Sequence, residues 1–371
     1  MERQHMFYFI GELLLSPCDR KKKEVLRRTM SSAGFNWRIF IAMGSNHLVL
    51  QTIYRRLCES DLLEYLPPDI HLHLKNVYDL NCQRNNEIMQ QVAAINSLLN
   101  SHNIVPLYMK GVGNILDGLY KDMGERLMHD IDILVPTGQW RSTAELFLQN
   151  GYRGMTVYKP EIENRLKHYP PLFKPGTGIM VEIHDLPVEK EYLKVLDASQ
   201  IWEAKKLNSE NGNCYIMSDH HKVIHNFVHA QLVHHGHAYA RVYLRNLFDL
   251  YLLSLRDDAG KTLGALKHHA SEAKAYLRLM HNIFYPETNE RQKLTVMSRL
   301  FLWRHAINLR SRTISLITYF LALLFRSYII TPLRALSDKN LRRSLPEKLF
   351  SRDWYRRHYR SLTRIYRTKA A

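Results

Sequence analysis

Two short segments of the chain place carboxylates at a spacing that suits metal-dependent chemistry. Residues 129–135 read HDIDILV, so Asp130 and Asp132 alternate with apolar residues. Side chains alternate between the faces of a β-strand, so both carboxylates project from one face while the apolar side chains enter the core. Paired carboxylates repel each other unless a cation neutralises them, and these oxygen ligands suit Mg²⁺ or Mn²⁺. We predict a metal site here, although a solvated pair on an edge strand would give the same pattern.

The second segment, residues 180–185, reads MVEIHD and places Glu182 and His184 on one face of a strand. If the two strands are neighbours, Asp130, Asp132 and Glu182 form a three-carboxylate site able to hold two Mg²⁺ ions for phosphoryl-type transfer. We expect His184 to lie in the wall of the same site.

A turn upstream of these segments carries features of a phosphate-binding loop. Lys110, Gly111 and Gly113 follow an apolar run and precede a helical pattern. Glycine there lets backbone N–H groups approach a phosphate, with Lys110 as a point charge, or simply permits a strand-to-helix turn. Arg126 precedes the first carboxylate segment and is either a triphosphate ligand or a locally paired arginine.

Several later residues are candidates for the wall of the site. His221, His225 and His229 recur every four residues on a predicted helix. They are ligands of a transition metal, groups near the phosphates with His225 or His229 as general base, or ordinary histidines. Arg245 and Asp249 are one helical turn apart and are expected to pair, either orienting the site wall or bracing two helices.

The spacing of apolar residues predicts the elements that position these side chains. Helical periodicity runs from about Trp37 to Asn100 and returns after about residue 190, with mixed α/β character between them. The predicted strands are Ile104–Met109, Ile131–Val135, Tyr152–Tyr158 and Ile179–His184, and the predicted helices are Trp140–Gln149, Val223–Leu255, Gly264–Ile283 and Arg299–Leu336. The predicted fold is α+β, with a helical N-terminal region (1–100), a small mixed-sheet core (101–190), a helical domain over the site (191–290) and a basic helical C-terminal region (291–371).

The charge of the chain is concentrated near its C-terminal end. Of the net charge of +17, residues 291–371 contribute +16, from 19 Lys and Arg against 3 Asp and Glu. Such a segment suits a phosphate-rich partner, either RNA or another nucleic acid, or the anionic face of a membrane. Its aromatic residues suit base stacking and interfacial anchoring equally well, and these are Trp354, Tyr355, Tyr359 and Tyr366.

The segment Ile314–Leu333 is mostly apolar but is interrupted by Arg326 and Pro332. A core helix of the C-terminal bundle is favoured over an interfacial amphipathic helix, and a membrane span comes last. The 371-residue composition, 46% apolar and with few Gly and Pro, excludes a disordered chain. Four scattered cysteines without a CxxC motif indicate neither a zinc ribbon nor a disulfide scaffold, and no secretory signal is readable. A cytoplasmic location is expected, with peripheral contact at the inner membrane as an extension.

The order of these motifs resembles the bacterial uncharacterised nucleotidyltransferase family of the polymerase-β-like superfamily. The resemblance covers about residues 40–260 and rests on Lys110-Gly111, Arg126, Asp130-Ile131-Asp132, Glu182 with His184, the helix with His225 and His229, and Arg245 with Asp249. It implies a minimal nucleotidyltransferase domain with Asp130, Asp132 and Glu182 as metal-binding carboxylates and the Lys110–Gly113 turn against the nucleotide phosphates. Most members of the wider superfamily instead have Gly-Ser at that turn and reach the first aspartate sooner.

We therefore predict a Mg²⁺-dependent enzyme that moves a nucleoside monophosphate from an NTP to an acceptor hydroxyl and releases pyrophosphate. The acceptor is RNA, a protein, a sugar or a small molecule. In this prediction Lys110 and Arg126 neutralise the triphosphate, and Glu182 helps to activate the acceptor hydroxyl. Two alternatives remain: a non-catalytic nucleic-acid-binding module with the same fold, and an accessory protein of surface-polysaccharide assembly docked on a membrane through residues 291–371.

Overall fold

The computed structural model describes residues 1–15, 20–156, 166–210, 212–285 and 293–337, together with residues 342, 351, 352, 355 and 356. Helices form most of this part of the chain, and a seven-stranded mixed sheet lies in the middle of it. The predicted α+β fold class is confirmed.

The sheet joins the two carboxylate segments as neighbouring strands. Its strands are β1 (Leu107–Tyr108), β2 (Asp130–Leu134), β3 (Arg153–Gly154), β4 (Leu172–Phe173), β5 (Met180–His184), β6 (Lys206–Asn208) and β7 (Cys214–Ile216). Their spatial order is β3-β4-β5-β2-β1-β7-β6. At the centre, β2 and β5 run parallel with Asp132 opposite Glu182, and β1 lies antiparallel to β2 and parallel to β7.

Helices surround the sheet on both sides. In the described residues the α-helices are α1 (Arg3–Leu13), α2 (Arg20–Met30), α3 (Trp37–Asn46), α4 (Leu50–Glu59), α5 (Pro68–Asn100), α6 (Lys110–Leu116), α7 (Trp140–Gln149), α8 (Ala198–Glu203), α9 (Asp219–Phe227), α10 (Leu244–Ser254), α11 (Ala259–Gly264), α12 (Ala270–Phe284), α13 (Val296–Arg310), α14 (Arg312–Phe325) and α15 (Thr331–Ser337). Single π-helical segments, Val228–Val233 and Arg326–Ile330, follow α9 and α14. Helix α7 has the predicted bounds, whereas the two long helices predicted over 223–255 and 299–336 are each divided into shorter ones.

The alternation along β2 separates two apolar cores. Ile131 and Ile133 share one core with the side chains of α5 and α7, which include Ile88 and Phe147. Leu134 points to the other face and belongs to a larger core that the N-terminal helices form with α9 to α13. The carboxylates of β2 therefore lie on the face of the sheet that the helical layer covers.

The sheet and the helix that packs on it extend beyond residues 101–190. Strand signals were expected to end near residue 190, but β6 and β7 follow that residue and extend the sheet beyond β1. The expectation is wrong because strands of three residues are too short to show an alternating pattern. At the other limit, α5 lies before residue 101 and yet packs its apolar face on the sheet.

The C-terminal apolar segment differs from the favoured prediction of a core helix. Residues Arg312–Leu333 form a helical stretch that is long and apolar enough to cross a membrane by length and composition alone, and none of its residues is buried. The core-helix prediction is therefore wrong, and the interfacial and spanning interpretations remain. Tyr355 is exposed, whereas Trp354, Tyr359 and Tyr366 lie outside the described residues.

Candidate active site

The predicted carboxylates lie on the polar face of β2 and β5. Asp132 is directly opposite Glu182 in the parallel pair, and Asp130 stands two residues earlier on the same face. Asp132 is only 1% exposed, whereas Asp130 and Glu182 are partly exposed. The structure thus brings the three carboxylates together, with Asp132 deepest.

Lys110 reaches the deepest carboxylate from the turn between β1 and α6. Its Nζ lies 2.5 Å from Asp132 Oδ1. Burial alone would lower the pKa of Lys110, but the carboxylates of Asp132, Asp130 and Glu182 raise it, so the amine carries its charge. Lys110 also has a φ of +50°, in the left-handed region that costs a residue with a Cβ about 1–2 kcal/mol. The backbone at this turn is thus strained where it directs the amine at Asp132.

His184 contacts two of the carboxylates with one nitrogen. Its Nε2 lies 3.0 Å from Asp132 Oδ1 and 3.3 Å from Glu182 Oε2. The other nitrogen, Nδ1, is buried without a hydrogen-bond partner among the described residues. A proton on Nε2 explains this arrangement, because one N–H then serves both carboxylates.

The carboxylates respond differently to these neighbours. Burial alone would raise the pKa of Asp132, but Lys110 and His184 hold it well below its usual range. Burial and the nearby charge of Asp132 raise the pKa of Asp130 to about 6. Asp130 forms no ion pair with any residue that the structure describes, so it is the carboxylate whose charge is least compensated.

The donor set fits a divalent cation. Oxygen or nitrogen atoms of Asp132, Glu182 and His184 lie within 4.8 Å of one another and could hold a metal ion. A histidine that binds a metal with one nitrogen almost always donates its other N–H to an acceptor. His184 Nδ1 has no such acceptor in the described part of the chain, which favours the carboxylate oxygens over the imidazole as ligands of such an ion.

A cavity of about 460 Å³ opens over this face of the sheet. Pockets for small molecules and cofactors fall in the range of about 300–1,000 Å³. The sheet, the Lys110 turn, α9 and α10 all contribute to its walls. Among the described residues, its charged lining comprises Lys110, Arg126, Asp130, Lys167, Glu182, Glu189, Lys222, Arg245 and Asp249.

Arg126 lines the cavity but is already bound by a carboxylate. Its Nε and Nη2 donate to the two oxygens of Asp249 at 2.9 and 2.8 Å, and its Nη1 donates to the Leu127 carbonyl at 2.5 Å. The hydroxyl of Tyr120 also donates to Asp249. The expected pair of Arg245 with Asp249 is therefore replaced by a pair of Arg126 with Asp249, which is the locally paired alternative for Arg126.

Arg245 differs from Arg126 in its partners. It lines the cavity, its Nε lies 3.4 Å from the Asn246 side-chain oxygen, and it forms no ion pair with a described residue. Burial and the charge of Arg126 lower the pKa of Arg245 to about 10, which still leaves it charged at neutral pH. A half-buried guanidinium without an ion-pair partner among the described residues is suited to binding an anionic group.

The histidines of α9 and the following π-helical segment form part of the cavity wall. His225 and His229 both line it. Burial lowers the pKa of His225 to about 3, so its ring is neutral, and its Nε2 lies 3.3 Å from the Pro187 carbonyl oxygen. His229 Nε2 lies 3.1 Å from His234 Nε2, and His221 contacts the Ser218 hydroxyl. No metal-ligand group forms from the predicted series of histidines in the part of the chain described.

The two glycines of this segment differ in how strictly packing requires them. A Cβ on Gly113 would lie 2.5 Å from the Tyr108 carbonyl oxygen, and the Gly113 N–H donates to the Met109 carbonyl. A Cβ on Gly111 would meet the flexible Met128 side chain at 2.9 Å. Gly111 lines the cavity, whereas Gly113 is buried and its N–H is occupied, so the structure does not support a phosphate contact at Gly113.

His168 is a cavity residue that the sequence reasoning missed. Its Nδ1 lies 2.7 Å from the Tyr169 carbonyl oxygen, and its Nε2 lies 3.9 Å from Glu182 Oε2. The ring lies beside that of His184, with centroids 4.9 Å apart. No spacing signal marks it, because it lies on a loop next to β4 and reaches the site through an isolated bridge to His184. The neighbouring Lys167 pairs with Glu189 at 3.0 Å.

The comparison with known protein families agrees with this geometry. No curated protein matches the chain. Residues 33–285 match the family described as uncharacterised nucleotidyltransferase, and this range contains the whole sheet and every lining residue discussed above. Because the match spans more than half of the sequence, the chain belongs to the uncharacterised nucleotidyltransferase family.

Proposed function

We propose that the chain transfers a nucleoside monophosphate from an NTP to an acceptor hydroxyl, with release of pyrophosphate. The observation that carries this proposal is the placement of Asp130, Asp132 and Glu182 on one face of two adjacent parallel strands. Asp130 and Glu182 line a cavity whose walls also carry five lysines and arginines. Family membership supports an NTP as the substrate. The chain would then be an enzyme rather than a binding module, because a module needs no buried carboxylates in its cavity.

The charges of the cavity suit a triphosphate. Arg245 provides a guanidinium in the wall that forms no ion pair with a described residue, while Lys167 and Lys222 add positive charge that Glu189 and Asp117 partly balance. In a partly closed cavity such fixed charges stabilise phosphate oxygens more strongly than they would in water. Arg126 orients the wall through Asp249 rather than contacting the nucleotide.

The carboxylates provide the means to hold Mg²⁺ or Mn²⁺. Asp132 and Glu182, with Asp130 beside them, would hold the ion, and His184 Nε2–H fixes the positions of the first two. When bound, such an ion supplies charge stabilisation at the transferring phosphoryl group. Lys110 keeps Asp132 ionised and in position.

His168 is the residue best suited to receive the proton of the acceptor hydroxyl. Burial lowers its pKa, so its ring is neutral, and donation from Nδ1 to the Tyr169 carbonyl leaves the Nε2 lone pair free to accept. In the transfer, the acceptor oxygen forms a bond to the α-phosphorus, its proton passes to His168 Nε2, and the bond from the α-phosphorus to the bridging oxygen breaks. Pyrophosphate leaves with the electrons of that bond.

The position of the radiolabel in the NTP tests this proposal directly. The protein is incubated with Mg²⁺ or Mn²⁺, cell extract and each NTP labelled at either the α- or the γ-phosphorus. We expect an acceptor to be labelled from the α-labelled nucleotide only, and pyrophosphate to be released. Transfer of the γ-label, or labelling of no acceptor with any NTP, would contradict the proposal.

Matched variants assign the activity to the cavity. Asp130→Asn should abolish labelling, whereas Asp79→Asn, which changes an exposed aspartate of α5, should leave it unchanged. Equal loss in both variants would indicate damage to the fold and not removal of an active-site group. His168→Gln should slow transfer without weakening NTP binding, as expected for a proton acceptor.

A further inference from the structure

Helix α14 and the π-helical segment Arg326–Ile330 that follows it expose an apolar stripe along their length. The members of this α14 stripe are spaced three or four residues apart and are 41–58% exposed: Ile314, Ile317, Leu321, Phe325 and Tyr328. Of the 24 large apolar side chains that are exposed in the described residues, 14 lie between Val296 and Leu336. Exposed apolar side chains that cluster in this way mark an interaction surface.

The other side of the helix contacts the protein through polar and aromatic groups. The Thr318 hydroxyl donates to Asn308 Oδ1 at 2.6 Å, and Arg326 Nη1 donates to the Tyr239 hydroxyl at 3.3 Å. Between them, Tyr319 packs on the ring of Tyr239 at 4.6 Å. A helix on the surface of a globular protein normally turns its apolar side inward. Helix α14 instead leaves an apolar side exposed, which is unfavourable in water and favourable against lipid.

The charge around this helix identifies the kind of partner. Residues 291–337 contain eight Lys and Arg and no Asp or Glu. Cationic side chains next to an anionic bilayer are attracted to its headgroups, and apolar side chains between them enter the acyl boundary. Nucleic acid would satisfy the arginines but offers no apolar interior for Ile314, Ile317 and Leu321.

We propose that α14 lies in the interface of an anionic phospholipid bilayer, with the α14 stripe inserted and the flanking arginines at the headgroup phosphates. The contacts at Thr318 and Arg326 hold the helix against the rest of the protein over more than two helical turns. A spanning helix would have to give up these contacts, whereas an interfacial helix keeps them. This surface is independent of the cavity and goes beyond the proposed nucleotide transfer.

Vesicle flotation of the full chain tests this proposal. We expect about tenfold or tighter binding to vesicles of phosphatidylcholine with phosphatidylglycerol than to phosphatidylcholine alone, because basic side chains add binding energy at an anionic surface. High salt or alkaline carbonate should release the protein. Equal binding to both kinds of vesicle, or resistance to carbonate, would overturn an interfacial, charge-assisted mode.

Two substitutions of similar exposure separate the stripe from general surface effects. Leu321→Asp changes a 56% exposed residue of the stripe, and Leu72→Asp changes a 60% exposed residue of α5. Leu321→Asp should weaken vesicle binding about tenfold or more, because it removes a leucine side chain that would be buried in lipid and adds a negative charge. Leu72→Asp should leave vesicle binding unchanged. Both variants should unfold at the temperature of the wild type, because neither side chain is in the core.

Other partners of the same surface would give different results. Binding of wild type to RNA but to neither kind of vesicle would assign the arginines to nucleic acid and overturn the proposal. A dimer that forms without lipid and that Leu321→Asp dissociates would assign the stripe to a second copy of the chain.

Discussion

Replacing Arg126 distinguishes a structural cation from a nucleotide ligand. The sequence predicts that Arg126 binds the triphosphate. In the structure its guanidinium instead donates to both carboxylate oxygens of Asp249, at 2.9 and 2.8 Å. Arg126 is 7% exposed and Asp249 is 3% exposed. In Arg126→Met, Asp249 would stay buried with Tyr120 as its remaining side-chain donor.

The cost of this change follows from the buried charge it leaves. Removal of one partner of a buried ion pair destabilises a protein by about 3–5 kcal/mol, because the remaining charge is uncompensated. In Arg126→Met with Asp249→Leu neither charge of the pair remains, and the unpaired Tyr120 hydroxyl costs about 1–3 kcal/mol. We therefore expect the double variant to be more stable than Arg126→Met alone.

Urea unfolding followed by tryptophan fluorescence measures the stabilities, and the KM for NTP measures nucleotide binding. Arg245→Met is the matched control, since it removes a guanidinium from the same cavity without breaking an ion pair among the described residues. It should raise the KM and leave stability almost unchanged. The reasoning would be refuted by an Arg126→Met variant that loses less than about 1 kcal/mol, far below the cost of breaking a buried pair, and shows the larger rise in KM.

Three further substitutions test the charges and packing of the site. Without divalent metal, the raised pKa of Asp130, about 6 against 3.8, means that the folded chain binds more protons than the unfolded chain between these pH values. As the pH rises through this window, the free energy of unfolding of wild type should therefore fall relative to that of Asp130→Asn. Urea titrations in which this free energy rises relative to the variant would contradict the prediction. Lys110→Met leaves Asp132 buried without its cation, so the free energy of unfolding should fall by about 3–5 kcal/mol in the same assay. A free energy equal to that of wild type would show that Lys110 does not stabilise the buried charge of Asp132. Gly113→Ala should lower the free energy of unfolding by about 1–3 kcal/mol, because the added Cβ would lie too close to the Tyr108 carbonyl oxygen. The KM for NTP should not change. A raised KM in a protein of wild-type stability would indicate a phosphate contact at Gly113.

The parts of the fold that the sequence predicts well are those with a strong local period. Helix α7 and the central strands β2 and β5 are recognisable because their apolar residues alternate or recur within a few positions. Strands β4, β6 and β7 have two or three residues each, and their place in the sheet depends on partners far away in the sequence. Their existence is a property of the assembled sheet, which local patterns do not report.

The site follows the same division. Asp132 and Glu182 could be predicted because strand alternation fixes the face on which each lies. The partner of Arg126 could not, since Asp249 is 123 positions away and Arg245 offers a nearer choice on the same helix. An apolar helix has the same composition in a core and against lipid, so the sequence could not decide the burial of α14 either.

Helices α1 and α13 pack against each other between the exposed helix α14 and the core next to the cavity. Helix α1 lies before the family match and α13 lies after it, and the two pack together, with Phe7 against His305 at 5.6 Å between ring centroids. Helix α14 begins two residues after α13 ends, so its position relative to the cavity depends on this contact. Because Phe7 is fully buried in the same core as Phe248 of α10, a wall of the cavity, the pair α1 and α13 connects the proposed membrane surface to the site through continuous packing. A nucleotidyltransferase held in this way at a bilayer would present its cavity in a fixed orientation to acceptors at the membrane surface.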